Sequence, residues 1–192
     1  MASALIIVDV QNDFISGSLA VPGGDQVAQQ LRRMLLSGNP KYDYVVTTQD
    51  WHVSPGNHWA KEPDMVDTWP EHCRAGTFGA QLHVSLDQFP FDAAFHKGHY
   101  NAAYSGFEGH LVEDGKSTAA SQGLASWLRE HDVTEVAIVG LAEDYCVAAT
   151  AADANAQGFK TTVLLPWTAA IDQEAADQKM ASLQKAGVSV LA

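Results

Sequence analysis

Basic residues are scarce in this chain. Its 11 lysines and arginines face 23 aspartates and glutamates, which leaves a net charge of −12. A field of that sign repels phosphate backbones and anionic headgroups, so nucleic acid and membrane surfaces are set aside as partners. Cysteine is scarce too. Cys73 and Cys146 are the only two, too few for the disulfide framework of a small secreted domain, and at least one is therefore free for chemistry. No stretch approaches the roughly 20 apolar residues that span a bilayer. The first basic residue is Arg32, and the apolar run Leu5 to Val8 is too short for the core of a secretory signal. A soluble, cytoplasmic protein is expected. Repeats and low-complexity segments are also missing.

What remains is ordinary globular material. The 192 residues fit one domain, residues 1–192, and 46% of them are hydrophobic, enough for a sizeable core. Short apolar runs alternate with helical patterns, the rhythm of a three-layer αβα fold with a doubly wound, mainly parallel sheet. Leu5–Val8, Tyr44–Thr47, Ala93–His96, Glu135–Val139, Thr161–Leu165 and Val188–Leu191 read as strands. Asp25–Leu36 reads as a helix on the stripe Val27, Leu31, Met34 and Leu35, followed by Gly123–His131, Asp144–Gln157 and Asp172–Ala186. The rhythm breaks at about 49–91, an insert rich in Trp, His, Pro and Gly. A loop of that length in a compact domain is usually functional.

In open α/β sheets, ligands bind beyond the carboxyl ends of the strands. Asp9 ends the first strand, Asp50 follows the second, Lys97 the third, and Cys146 lies past the fourth. Four reactive side chains are thereby expected at one edge. Cys146 sits just inside a helix start, where backbone N–H groups and the dipole favour a thiolate and can hold an oxyanion. Taken alone it reads more readily as an inert buried cysteine. Asp9 closes an apolar run, where a carboxylate is costly unless paired. Lys97 is the cation placed to pair it.

Asp50 and His52 are two apart, so in an extended segment they face the same side. His58 and His72 follow within the insert. Carboxylate with imidazole suits one divalent ion, zinc, iron or manganese. Cys73, next to His72, is a poorer choice of ligand because adjacent side chains diverge. His83, His96, His99, His110 and His131 form no comparable group and are expected to pack or face solvent.

Six segments in order resemble the nicotinamidases, or pyrazinamidases, of the isochorismatase-like cysteine hydrolases. They are Leu5–Phe14, Asp50-Trp51-His52, Trp69–Cys73, Lys97-Gly98, Tyr104–Phe107 and Val139–Val147. The resemblance implies a Cys146–Asp9–Lys97 triad and an oxyanion hole from the N–H groups of Ala142 and Cys146. It also implies a cis peptide between Leu141 and Ala142, and metal ligands at Asp50, His52 and His72 with His58 as a fourth. Phe14, Trp69 and Tyr104 match positions that wall the substrate ring, and Leu19 and Tyr145 are assigned to the same pocket. Glu143 departs from the threonine common in the family.

The activity so implied is conversion of nicotinamide to nicotinate and ammonia through a thioester on the cysteine, with pyrazinamide as a second amide substrate. Three other readings stay open on the residues. One is a relative acting on a ureido or carbamoyl compound, which would not need a metal to hold a ring nitrogen. Another is a hydrolase in which metal-activated water does the chemistry. The third is a module that binds without turnover. Nothing in composition or patterning specifies an oligomeric state.

Overall fold

The computed structural model describes residues 1–37, 41–87 and 89–192. Residue 88, within the expected insert, lies outside them. Seven strands form one sheet: β1 (Ala2–Val8), β2 (Tyr44–Asp50), β3 (Ala93–Lys97), β4 (His110–Leu111), β5 (Val133–Leu141), β6 (Lys160–Ala169) and β7 (Ser189–Leu191). Their order is β4-β3-β2-β1-β5-β6-β7. Every pairing is parallel except that of β3 with β4. The helices are α1 (Asn12–Ile15), α2 (Gly24–Leu36), α3 (Leu124–Glu130), α4 (Ala148–Ala156) and α5 (Gln173–Lys185). No helix among the described residues is long and apolar enough to cross a membrane.

The central strand explains the layering. Ala4 to Val8 are all fully buried, because a parallel strand is covered on both faces. Side chains alternate along it. Ala4, Ile6 and Val8 join a core with Leu124, Trp127 and Leu128 of α3, Ala151 of α4 and Met180 and Leu183 of α5. Leu5 and Ile7 join a second core with Val27, Ala28, Leu31 and Leu35 of α2 and with Trp69, Cys73, Ala80 and Leu86 of the insert. Each large apolar side chain so buried contributes on the order of 2 kcal/mol. The apolar stripe read on α2 is the face it buries, apart from Met34, which is partly exposed.

Three details differ from the sequence pattern. The strand β4 is two residues long and antiparallel, too short to leave a periodic signal. A single helical turn, α1, follows β1 directly. The helix expected from Asp144 is in two parts: a π-helical turn over Glu143–Val147 leads into α4. Such wide turns are found mostly at functional sites.

Two residues let the chain turn at the sheet's carboxyl edge. Gly140 has φ +113°, and a Cβ there would lie 2.1 Å from the Val8 carbonyl oxygen, so only glycine lets β5 pass that close to β1. Asp9, at φ 50°, is in the left-handed region, which aspartate tolerates better than most residues.

Candidate active site and metal centre

Asp9, Asp50, Lys97 and Cys146 meet at the carboxyl edge of β1, β2, β3 and β5, as the strand ends suggest. The register fixes part of this, since Asp50 pairs with Lys97 across β2 and β3. All four side chains are buried, Asp9 and Lys97 completely. Lys97 Nζ lies 2.9 Å from Asp9 Oδ2 and 3.6 Å from Cys146 Sγ. It also pairs with Asp50 Oδ1 and donates to the Ala103 carbonyl at 3.2 Å. Asp9 Oδ1 accepts from Thr48 Oγ1 at 2.7 Å. Asp9 Oδ2 faces the Lys97 ammonium, and beyond that ion pair no other partner is found for it among the described residues, which leaves it lone-pair capacity to accept a proton. Ligand atoms of Asp9, Asp50 and Cys146 lie within 4.8 Å of one another.

Burial and charge divide the roles. Burial raises the Asp9 carboxyl, and the nearby Lys97 only partly offsets it. Burial also works against charge on Asp50, but Lys97, His52 and His72 outweigh it and hold this carboxyl well below the usual range. Burial alone would lower Lys97, yet the two carboxylates keep it firmly cationic. At Cys146 two effects compete: the helix start favours a thiolate, and burial opposes it. Desolvation pushes its thiol well above the ordinary value, and Lys97 does not cancel that. A largely buried thiol beside two carboxylates favours its protonated form, so a base must take its proton.

The turn that carries Cys146 is shaped by backbone. The Leu141–Ala142 peptide is cis. The Ala142 carbonyl accepts from the N–H groups of Tyr145 and Val147, both at 3.1 Å. Thr150 Oγ1 donates to the Cys146 carbonyl at 2.6 Å and accepts from the Gly106 N–H at 2.9 Å.

The histidines of the insert form the second part of the site. Ring nitrogens of His52, His58 and His72 lie within 4.8 Å of one another, all buried. Asp50 Oδ2 is 3.6 Å from His52 Nε2 and 3.8 Å from His72 Nε2. His52 Nδ1 is tied to the Gly98 carbonyl at 2.5 Å and His72 Nδ1 to the Pro70 carbonyl at 2.8 Å. A backbone carbonyl on one ring nitrogen turns the other toward a metal. His52 Nε2 and His58 Nδ1 are buried with no hydrogen-bond partner among the described residues. Such orphans are costly, and a divalent cation among three imidazoles and a carboxylate would satisfy them, so the residues fit the ion. Desolvation lowers His58 to about 4 and lowers His72 as well, which keeps both rings neutral and able to ligate. Cys73 is buried but stands outside this group.

The insert reaches this shape by pairing with itself. His52 bridges Arg74 and Trp59 bridges Trp69, with the Trp69 N–H donating to the His58 carbonyl at 2.9 Å. A cleft between metal group and cysteine is lined by Phe14, Leu19, Trp69, Tyr104 and Tyr145, together with Ala142 and Ile171. All five residues expected to wall a ring are therefore brought together. Trp69 Nε1 donates to the Tyr104 hydroxyl at 3.3 Å.

Sequence reasoning assigned no role to several contributors. Gln11 clamps Asp50 through both main-chain groups, at 2.8 Å each; it lies in the Leu5–Phe14 segment, which is the available signal. Thr48, on the Asp9 carboxylate, is hidden in an apolar strand. Ile171 sits in a loop after β6 and gives no signal. The remaining histidines pack or hydrogen-bond as expected: His96 stacks on Trp51 at 4.0 Å and His131 on Trp127 at 3.8 Å. His83, His99 and His110 meet Ser85, Ser117 and the Ser121 carbonyl.

A family model described as the Isochorismatase domain matches residues 3–192. The chain belongs to the isochorismatase family. Within that family it is 46% identical over 183 residues to a nicotinamidase/pyrazinamidase of Mycobacterium tuberculosis, covering 95% of this chain and 92% of that protein. Among solved structures, a protein of L. infantum in complex with nicotinate superposes with a TM-score of 0.81 at 38% identity, covering 99% and 92% of the two chains. A pyrazinamidase of Pyrococcus horikoshii in complex with zinc gives 0.79 at 32%, covering 100% and 99%. This member of the isochorismatase family thus shares its whole length with amidases.

Proposed function

We propose that the protein is a nicotinamidase: it hydrolyses nicotinamide to nicotinate and ammonia, and pyrazinamide to pyrazinoate. The observation that carries the reading is the placing of Cys146 beside the Asp9–Lys97 pair, across one aromatic cleft from the Asp50–His52–His58–His72 group. Its likeness to named nicotinamidases supports the same substrate. The chain works as one domain, in which the 49–91 insert supplies the cation ligands.

Asp50, His52, His72 and His58 would hold the divalent ion. When bound, it supplies a Lewis-acidic anchor for a ring nitrogen. Zinc is the favoured ion, on the donor set and on the zinc complex of the archaeal relative. Phe14, Trp69, Tyr104, Leu19 and Tyr145 hold the flat ring and present its carboxamide to Cys146. Fixing that geometry removes several kcal/mol from the barrier.

Asp9 Oδ2 takes the thiol proton, and Cys146 Sγ attacks the amide carbon. The N–H groups of Ala142 and Cys146 hold the resulting oxyanion, a contribution of about 3 kcal/mol per donor. Asp9 then gives its proton to the departing ammonia, and the C–N bond breaks to leave a thioester. The same carboxylate draws a proton from water, which attacks the thioester carbon. Nicotinate leaves, and the proton returns to Sγ. Lys97 stays charged throughout, holding Asp9 and Sγ in place.

The test is ammonia release from nicotinamide by the wild type, by Cys146→Ala and by a chelator-treated sample. Loss of activity in both of the latter, with recovery on returning zinc, is expected. Undiminished turnover in Cys146→Ala would overturn the covalent route, and an inactive wild type supplied with metal would overturn the substrate assignment.

A further inference from the structure

The turn that carries the nucleophile is gripped from outside by α5, a helix with no residue in the reaction. Lys179 of α5 donates its ammonium to the Asp144 carbonyl and lies over the Tyr145 ring, 4.7 Å from its centroid. It therefore holds the two residues that precede Cys146. The buried Asp144 carboxylate reaches the other way and accepts the N–H groups of Ile171 at 3.0 Å and Asp172 at 2.8 Å. Asp172 caps α5, and Ile171 lines the catalytic cleft.

These contacts form one chain of dipoles. The Lys179 ammonium meets the Asp144 carbonyl; the N–H of that same peptide unit, on Tyr145, donates to the Ala142 carbonyl at 3.1 Å. A cation at the head of such a chain polarises each member and strengthens the next bond. The chain ends on Ala142, the residue proposed to donate to the oxyanion. A π-helical turn is wider and less regular than an α-helical one, so its outward carbonyl gains most from a fixed external donor.

The geometry points to Lys179 as a positioning residue for the reaction: through Asp144 and Tyr145 it sets the backbone that aligns Ala142 and Cys146 with the scissile amide. The inference rests on the amidase reading for its kinetic consequence and on the contacts of Lys179 for its structural one. Lys179 is exposed beside an open cavity of about 490 Å³, which it lines with Tyr104 and Tyr145, so replacing it leaves the core untouched. Sub-ångström misplacement of reacting groups costs turnover rather than affinity.

The test compares wild type, Lys179→Met and Lys179→Arg. Lys179→Met keeps length and apolar cover but loses charge and donor; Lys179→Arg keeps both. In Lys179→Met, kcat for nicotinamide is expected to fall about ten-fold with KM unchanged. Hydrogen exchange at the Tyr145 amide should rise by about the same factor, at an unchanged melting temperature. Lys179→Arg should restore both. Wild-type kcat and wild-type exchange in Lys179→Met would overturn the inference, as would a failure of arginine to restore them. If the wild type releases no ammonia from nicotinamide, the substrate assignment fails, and amide exchange still decides for or against the hold of Lys179 on the turn.

Discussion

The Lys97 ammonium stands 2.9 Å from the Asp9 carboxylate, with both side chains wholly cut off from solvent. A buried pair of this kind is stable only while both members are present, since removal of one leaves a charge in a medium that cannot solvate it. Here the cation serves two carboxylates, because Asp50 also leans on it.

Lys97→Met should therefore damage the fold as well as the chemistry. Denaturant unfolding is expected to show a loss of about 3–5 kcal/mol at neutral pH. Part of that loss should return on acidification, as the stranded carboxylates bind protons that the native pair excludes. A variant as stable as the wild type would show that the carboxylates find other compensation.

Gly98 reaches the metal centre through His52. It holds φ +73°, and a Cβ at that position would lie 2.6 Å from His52 Cε1 and 2.8 Å from Nδ1, against the bond that Nδ1 makes with the Gly98 carbonyl. Gly98→Ala should tilt the ring and weaken zinc binding by about 10- to 100-fold, the usual effect of disturbing a ligand's outer partner. Competition with a chromogenic chelator measures it. Unchanged affinity would mean that His52 is not held by this contact.

Glu143 gives a pH dependence of stability. Its side chain is nearly buried, accepting from the Thr168 hydroxyl at 2.6 Å, and burial raises its carboxyl above the ordinary value despite that bond. The native state thus binds a proton that the unfolded chain has already released. Stability from this group is intact below the unfolded carboxyl pKa and is lost as pH rises through the raised native one. Glu143→Gln, which keeps an acceptor for Thr168, should melt higher than the wild type at pH 7 and converge with it near about pH 4. Thermal unfolding across that range checks the sign.

Much of this was legible in the residues. Six of the seven strands announced themselves as β-rich apolar runs, and their carboxyl ends placed Asp9, Asp50, Lys97 and Cys146 on one edge. The proposed ligand group was legible in part: Asp50 and His52 share a side of an extended segment, His58 and His72 follow in the insert, and the resemblance to the family joined the four. What stayed hidden depends on tertiary contact. Strand order is set by crossovers that leave no local trace, and β4 is too short for periodicity. The π-helical turn at 143–147 looks like any helix start in sequence. The state of Cys146 is set by two opposed effects: a helix start favours a thiolate, whereas burial beside two carboxylates favours the thiol whose proton Asp9 is expected to take. Lys179 reads as one more lysine on a polar helix face until Asp144 and Tyr145 are seen beneath it.

The central claim is that Cys146 becomes acylated, and it can be read from mass alone. Wild-type protein mixed with excess nicotinamide is quenched in acid during turnover, and the intact chain and its peptides are weighed. The account predicts one nicotinoyl group on the peptide bearing Cys146, absent in Cys146→Ala, whose ammonia release is abolished. A Cys146→Ala variant that still releases ammonia, with no adduct on the wild type at any quench time, would contradict it.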